Sequence, residues 1–255
     1  MNLRVIILYI IIGVSAIGIH AQDGSTAYNF LSVPVSSRVY GLGRHNITII
    51  DDDVNLVEQN PALLGPEYDK QIGLNYMRYI GGSNFMGARF GNRATDHSAW
   101  AVGIQYYGYG SFKAADIDGT ITGSFNASDI AISATYSHDI NDRLRGGITL
   151  KGLYSKYEDY SAFALCADLG INYFNPDNEL SLSLVLKHLG GQIKKFNESY
   201  DRLPWDIQLG MSKFLGNTPM RLSVTATHLT KWSLPYYTRA DANSTTSELV
   251  EKDSF

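Results

Sequence analysis

From about residue 71 onward, apolar and polar side chains alternate with a period of two in one segment after another. In 99–109, Trp100, Val102, Ile104 and Tyr106 fall on one side, and Ala101, Gly103, Gln105, Tyr107 and Tyr109 on the other. Successive side chains of an extended strand point to opposite faces, so this pattern predicts a strand with one apolar and one mixed face. The pattern recurs. Ile130, Ile132, Ala134 and Tyr136 oppose Asp129, Ser133, Thr135 and Ser137, while Ile148, Leu150 and Tyr154 oppose Arg145, Thr149, Lys151 and Ser155. Phe163, Leu165, Leu169, Ile171 and Tyr173 oppose Cys166, Asp168 and Asn172. Leu180, Leu182, Leu184 and Leu186 oppose Ser181, Ser183 and Lys187. Trp205, Ile207, Leu209 and Met211 oppose Asp206, Gln208 and Ser212, and Met220, Leu222, Val224 and Ala226 oppose Arg221, Ser223, Thr225 and Thr227. Two earlier segments, 72–76 and 86–90, fit less cleanly because Gly73 and Gly87 interrupt them. Roughly nine or ten strands are traced in this way, separated by turn-forming runs at 81–83, 92–96, 141–142, 175–178 and 216–217.

The preceding part differs. Residues 1–21 carry one early positive charge, Arg4, then an apolar run that ends in small residues before Gln22. That order predicts a secretory signal peptide, since the run is shorter than the ~20 residues a bilayer-crossing helix needs. Residues 22–70 predict an irregular, plug-like segment. Within it 33–40 and 46–50 read as short strands, and Asp53 reads as the cap of a short helix through Val54, Leu56 and Val57 that stops at Pro61. The polar tail at 239–255 has no periodicity.

Composition narrows the class. No stretch after residue 21 is long and apolar enough for a membrane helix. Lipid requires every backbone polar group to be paired within the protein, so a strand-built membrane protein must close into a barrel. A soluble β-sandwich also alternates. Two features favour a barrel: spans of about 9–11 residues suit tilted membrane-crossing strands, and Tyr106, Tyr136, Tyr154, Tyr173 and Trp205 end the apolar faces, as an interfacial girdle does. The fold class expected is therefore an all-β, antiparallel outer-membrane β-barrel, with 1–21 a signal peptide, 22–70 the plug and 71–255 a partial barrel. The formal charge is −4, or −5 without Arg4, which argues against a nucleic-acid partner. One cysteine, Cys166, excludes an internal disulfide.

Several short motifs occur in order: Tyr28-Asn29-Phe30, then 37–43 (SRVYGLG), Asp51-Asp52-Asp53 and 59–64 (QNPALL). Leu74-Asn75-Tyr76-Met77, Gly103-Ile104-Gln105-Tyr106, 122–125 (TGSF) with Ala127-Ser128-Asp129, Leu203-Pro204-Trp205 and Leu229-Thr230-Lys231-Trp232 follow. As an ordered set over about 25–235, they resemble the PorQ family of the type IX secretion system of Bacteroidota. Its wider relatives are PorV and the FadL-like channels, similar in the acidic residues upstream of Asn60-Pro61-Ala62. The resemblance implies a barrel of about 14 strands and a non-enzymatic role, in which a PorZ-like protein of the cell-surface attachment complex is held at the outer membrane. PorU-like and PorV-like components are implied as further partners. The other reading is a FadL-like channel for hydrophobic small molecules. Nine or ten strands fall short of 14, so the chain reads as C-terminally truncated, with two unpaired edges that lipid does not tolerate.

Candidate chemistry is sparse. Ser137-His138-Asp139 names a hydrolase triad, but neighbours on a strand point to opposite faces. His97-Ser98 has the same defect, and the histidines at 20, 45, 97, 138, 188 and 228 lack paired metal-ligand spacing. His188 and His228 end apolar faces and read as interfacial rings. Asp51-Asp52-Asp53 lacks a calcium-loop pattern, and Gly41-Leu42-Gly43 opens no phosphate-binding helix. Cys166 lies among small residues with no basic neighbour in the sequence. Arg89, Arg145, Lys151, Asp168 and Lys187 fall on the mixed face, where mutual pairing or pairing with the plug is expected. No enzyme, metal or cofactor is expected, and the partner-binding surface is sought on extracellular loops, at 111–124 or 191–202.

Overall fold

The computed structural model describes residues 28–34, 36–116, 118–196, 201–216, 220–230, 236–238 and 250–252. The signal-peptide reading of 1–21 and most of the polar tail, with His20, lie outside the described residues. Contacts divide the described residues into one unit at 28–230 and a second that holds 236–238 and 250–252.

The larger unit is all-β. Strands β1 (Gln71–Arg78), β2 (Asn84–Thr95), β3 (Ser98–Ala115), β4 (Ile121–Asn141) and β5 (Leu144–Tyr157) follow one another in the chain. They continue with β6 (Tyr160–Asn175), β7 (Leu180–Lys194), β8 (Asp206–Phe214) and β9 (Arg221–Ala226). Each pairs antiparallel with the next, giving one nine-stranded sheet in sequence order. Among the described residues β1 and β9 each have one neighbour, and the sheet is open. In the second unit Tyr236–Thr238 (β10) pairs with Val250–Lys252 (β11). Val250–Lys252 is thus a short strand where the polar tail predicts none.

The connections alternate between two ends of the sheet. One end carries tight turns whose geometry is written locally. In the β4–β5 turn, Asn141 Oδ1 accepts from the backbone N–H of Arg143 and Leu144, both at 2.9 Å. At the other end β3 and β4 run to 18 and 21 residues and stay paired out to Ala115↔Ile121. The sequence 111–124 is therefore mostly a projecting two-stranded hairpin, not a loop; the alternation disappears there because both faces are solvent-exposed. Likewise 191–194 extends β7, which leaves 195–205 as the connection.

The two faces of the sheet are inverted relative to a soluble domain. The apolar face is open: Ile132 and Leu150 are each 60% exposed and Ile104 48%. The mixed face is covered: Asp168 is 1% exposed, Lys151 3% and Arg89 4%. What covers it is the N-terminal segment, described from residue 28.

Its described residues contain helical turns and no strand. A helix, Ser37–Gly41, and 3₁₀ turns at Asn29–Ser32, Val54–Glu58 and Pro61–Leu63 occupy it. The short strands expected at 33–40 and 46–50 are absent because side chains there satisfy backbone donors that a ladder would use. Ser36 Oγ accepts from Val39 N, and Asn46 Oδ1 accepts from the N–H of Thr48 and Ile49 at 3.1 Å. Asp53 caps Val54–Glu58 through Asn55 N at 2.9 Å, and Asn60 caps the next turn with Pro61 at its first position.

Candidate functional site

The covered face is where the chain concentrates its specific chemistry. The N-terminal segment touches all of β1–β8. Val57, Leu64 and Tyr68 pack on Ala99 and Ala101 of β3. Ser137 Oγ of β4 donates to Leu64 O at 2.6 Å, Asn60 Nδ2 donates to Ser183 Oγ of β7 at 3.2 Å, and Ser212 Oγ of β8 donates to Thr48 O at 3.5 Å. Burying each aliphatic side chain of the segment contributes roughly 1.5–3 kcal/mol, and Val39, Ile47, Val54, Leu56, Val57, Leu63 and Leu64 are all essentially inaccessible.

Asn60-Pro61-Ala62 lies closest to the sheet, and two glycines make room for it. A Cβ on Gly147 would fall 2.5 Å from the carbonyl carbon and oxygen of Pro61, and one on Gly170 would collide with Asn60 Oδ1. A glycine inside a strand commonly marks such an approach by another backbone.

Charge pins the segment as well. Glu58, at the end of the Val54–Glu58 turn, pairs with Arg89 of β2 and with Lys151 Nζ of β5 at 2.5 Å. Lys151 also pairs with Asp168 of β6 at 2.7 Å. Burial opposes the Glu58 carboxylate, but Lys151 and Arg89 together outweigh it and hold it below the usual carboxylate range. Nearer the tight-turn end, Arg145 pairs with Glu67 of the segment at 3.0 Å and with Asp139 at 2.5 Å. At the long-hairpin end an aromatic layer closes the packing. Phe30 and Phe85 sit 5.0 and 4.9 Å from Tyr107, and the hydroxyls of Tyr109 and Tyr157 donate to Asp129.

Of the mixed-face ions, Arg89, Arg145, Lys151 and Asp168 are thus gathered into two networks with the N-terminal segment. Lys187 is not: it is buried and makes no ion pair or hydrogen bond among the described residues, with Asp206 as its cross-strand neighbour. His188 is not an interfacial ring. A bulge opposite Asp168 gives it a φ of 56° and buries it, with its N–H on Asp168 Oδ1 at 2.7 Å. The N–H of His228 likewise donates to Asp206 at 3.0 Å, with φ 60°, and its side chain is half-buried. Cys166 does have a basic neighbour, since Lys151 is its cross-strand partner. Ser137 faces the covered side, whereas His97, His138 and Asp139 border an open depression of about 370 Å³ at the tight-turn end; the three triad residues are not brought together. Asp51 pairs with Arg38, Asp53 is a helix cap, and no group of three metal-ligating side chains occurs among the described residues.

Sequence reasoning missed Glu58, Glu67 and the two glycines. Their signal was available: Gly147 and Gly170 fall on the mixed-face period of otherwise well-formed strands.

His45 yields a pH prediction. Burial, then Lys187, Arg44 and His228, lower its pKa from 6.5 to about 4, with Asp206 opposing. A histidine depressed in the docked state favours docking above about pH 6.5, and that contribution is lost as pH falls toward 4. His45 is only partly buried, so after discounting for solvent screening the contribution is roughly 1 kcal/mol. Protease sensitivity of the N-terminal segment is expected to rise several-fold between pH 7 and 4.5, and less in His45→Gln. An equal rise in both proteins contradicts the assignment.

A scan against protein-family models finds no match to this chain, and a search of curated proteins finds none either.

Proposed function

We propose that this protein is a non-enzymatic outer-membrane barrel whose lumen is filled by its N-terminal segment. On this reading it anchors a PorZ-like partner of the cell-surface attachment complex in type IX secretion. One observation carries the membrane part: across the middle of its strands the sheet hides its ions and hydroxyls and presents its aliphatic side chains outward. In water such a face is unfavourable at roughly 25 cal/mol per Å² of apolar surface, and in acyl chains it is the favourable arrangement. The open face also has a banded structure. Tyr76, Met86, Tyr106, Ile130, Tyr154 and Phe163 form one cross-strand row, and Trp100 and Tyr136 pair in another. On β3 and β4 these rows are six residues apart, about 20 Å at ~3.4 Å per residue.

The packed covered face supports an anchor over a conduit for hydrophobic small molecules, since the N-terminal segment occupies the space a solute would use. The projecting β3–β4 hairpin, with Phe112 stacked on Phe125 at 5.5 Å, offers a surface beyond the apolar band for a partner. The resemblance to the PorQ family supplies the partner's identity.

Two measurements test this reading. The protein is expected to stay in membranes through alkaline carbonate washing and to recover an attachment-complex component on affinity capture. Recovery as a soluble monomer without detergent overturns the membrane assignment, and capture with no such component overturns the anchoring role.

A further inference from the structure

We infer that the outer face of β4–β7 is a binding site for a phosphate-bearing lipid, with an acyl chain in a groove and the headgroup at a basic cluster directly beyond it. The inference rests on the membrane reading above and adds a ligand class and a place.

The groove comes from side-chain size. On the open face Ile130, Ile132, Leu150, Phe163 and Leu165 stand around Gly152, which has no side chain to fill the space among them. The resulting trough has a volume of about 590 Å³ and an almost wholly apolar lining. A Cβ built on Gly152 meets only ordinary contacts, at 3.7 Å from Leu165 and 3.8 Å from Phe163, so no packing demand in the protein explains the glycine. The covered face, by contrast, uses its glycines against the N-terminal segment.

The cluster comes from the register. Tyr154 pairs with Ile130 on one side and Phe163 on the other, which ends the apolar band on these strands. Two residues further along the same face, Lys156 pairs with Ser128 and with Ser161. Lys194, the cross-strand partner of Phe163, reaches the same place and donates to Ser161 Oγ at 2.6 Å. Lys156 and Lys194 are exposed, and neither makes an ion pair among the described residues. The acids nearest in sequence are Glu158 and Asp159, in the β5–β6 turn beyond the lysines; Asp129 points to the covered face. Two cations and two hydroxyls thus stand about 13 Å from Gly152 at ~3.3 Å per residue. That separation places a phosphate in the headgroup layer with its acyl chain running along β5 into the trough. A free anion would use the lysines alone, whereas the continuity of cluster and groove fits an amphiphile.

The test reconstitutes the protein purified from its native membrane into phosphatidylcholine vesicles containing a minor fraction of phosphatidylglycerol with the same acyl chains. The protein is then extracted in mild detergent, and the retained lipids are counted by mass spectrometry. Two basic side chains near a membrane surface give a preference of about thirtyfold for phosphatidylglycerol. The double substitution Lys156→Ala with Lys194→Ala is expected to remove that preference, and Gly152→Leu to lower retention while leaving the fold intact. Heat-modifiable migration of each variant shows that it has inserted. Inserted protein with no headgroup preference, or a preference unchanged in both variants, overturns the site alone. Failure of the native protein to fractionate with membranes overturns the membrane reading and the site with it.

Discussion

Lys151→Met is expected to release the N-terminal segment from the sheet, with the largest effect of any single change on the covered face. Lys151 is 3% exposed and joins Glu58 of the segment to Asp168 of β6, at 2.5 and 2.7 Å. Methionine preserves the volume, so the variant isolates the charge. Among the described residues Glu58 then retains only Arg89, and Asp168 retains only the backbone N–H of His188 among its hydrogen bonds. Breaking a buried ion pair by removing one partner costs about 3–5 kcal/mol, because the remaining charge stays desolvated. A loss at the low end raises the undocked population of the segment about a hundredfold. Limited proteolysis in detergent reads this as faster cleavage within 28–70, with the sheet strands still protected. The double change Lys151→Met with Glu58→Gln is expected to recover part of the protection by removing one of the stranded carboxylates. Cleavage of Lys151→Met at the unmodified rate refutes the pinning role.

The strands of this protein were largely legible in the sequence, and the covering segment was not, for a physical reason. A strand's period-two pattern is a local record of which face meets which environment, so Ile130, Ile132 and Tyr136 against Asp129, Ser133 and Ser137 suffices to place β4 and both its faces. What the pattern leaves open is which environment is which, because a soluble sandwich and a barrel produce the same alternation. The structure shows which face is covered, through long-range contacts such as Asn60 with Ser183, 123 residues apart. The segment at 28–70 has no period because its conformation is set by caps and by the surface it lies on. Ser36, Asn46, Asp53 and Asn60 each satisfy nearby backbone donors, which produces short turns rather than any repeating element. The hairpin beyond Gly108 was read as a loop for the converse reason: with both faces wet, a paired strand needs no alternation. His188 was misplaced because the bulge at Ala167/Leu169 shifts the register and turns its side chain from the open face to the covered one.

Gly147→Val tests the packing of the segment independently of charge, and β5 carries its own control. Gly146 and Gly147 are adjacent and point to opposite faces. A Cβ at 146 meets only Ile140 Cδ1 at 3.5 Å, whereas one at 147 lies 2.5 Å from the Pro61 carbonyl and 2.7 Å from Ala62 N. Backbone atoms cannot swing aside as a side chain can, so the Pro61–Leu63 turn must lift off the sheet. Overpacking typically costs ~1–3 kcal/mol, and contact with main chain puts Gly147→Val at or beyond the upper end of that range. Gly146→Val adds only a β-favouring side chain to the open face, and its thermal stability should match that of the unmodified protein. Protection of 28–70 from protease is expected to fall in Gly147→Val and to persist in Gly146→Val. Equal behaviour of the two removes Asn60-Pro61-Ala62 from the covered face. The same pair bears on function. If the segment is what keeps an outer-membrane lumen shut, Gly147→Val should conduct ions in a planar bilayer while Gly146→Val stays silent. Conductance by the unmodified chain at the level of Gly147→Val would instead favour a channel.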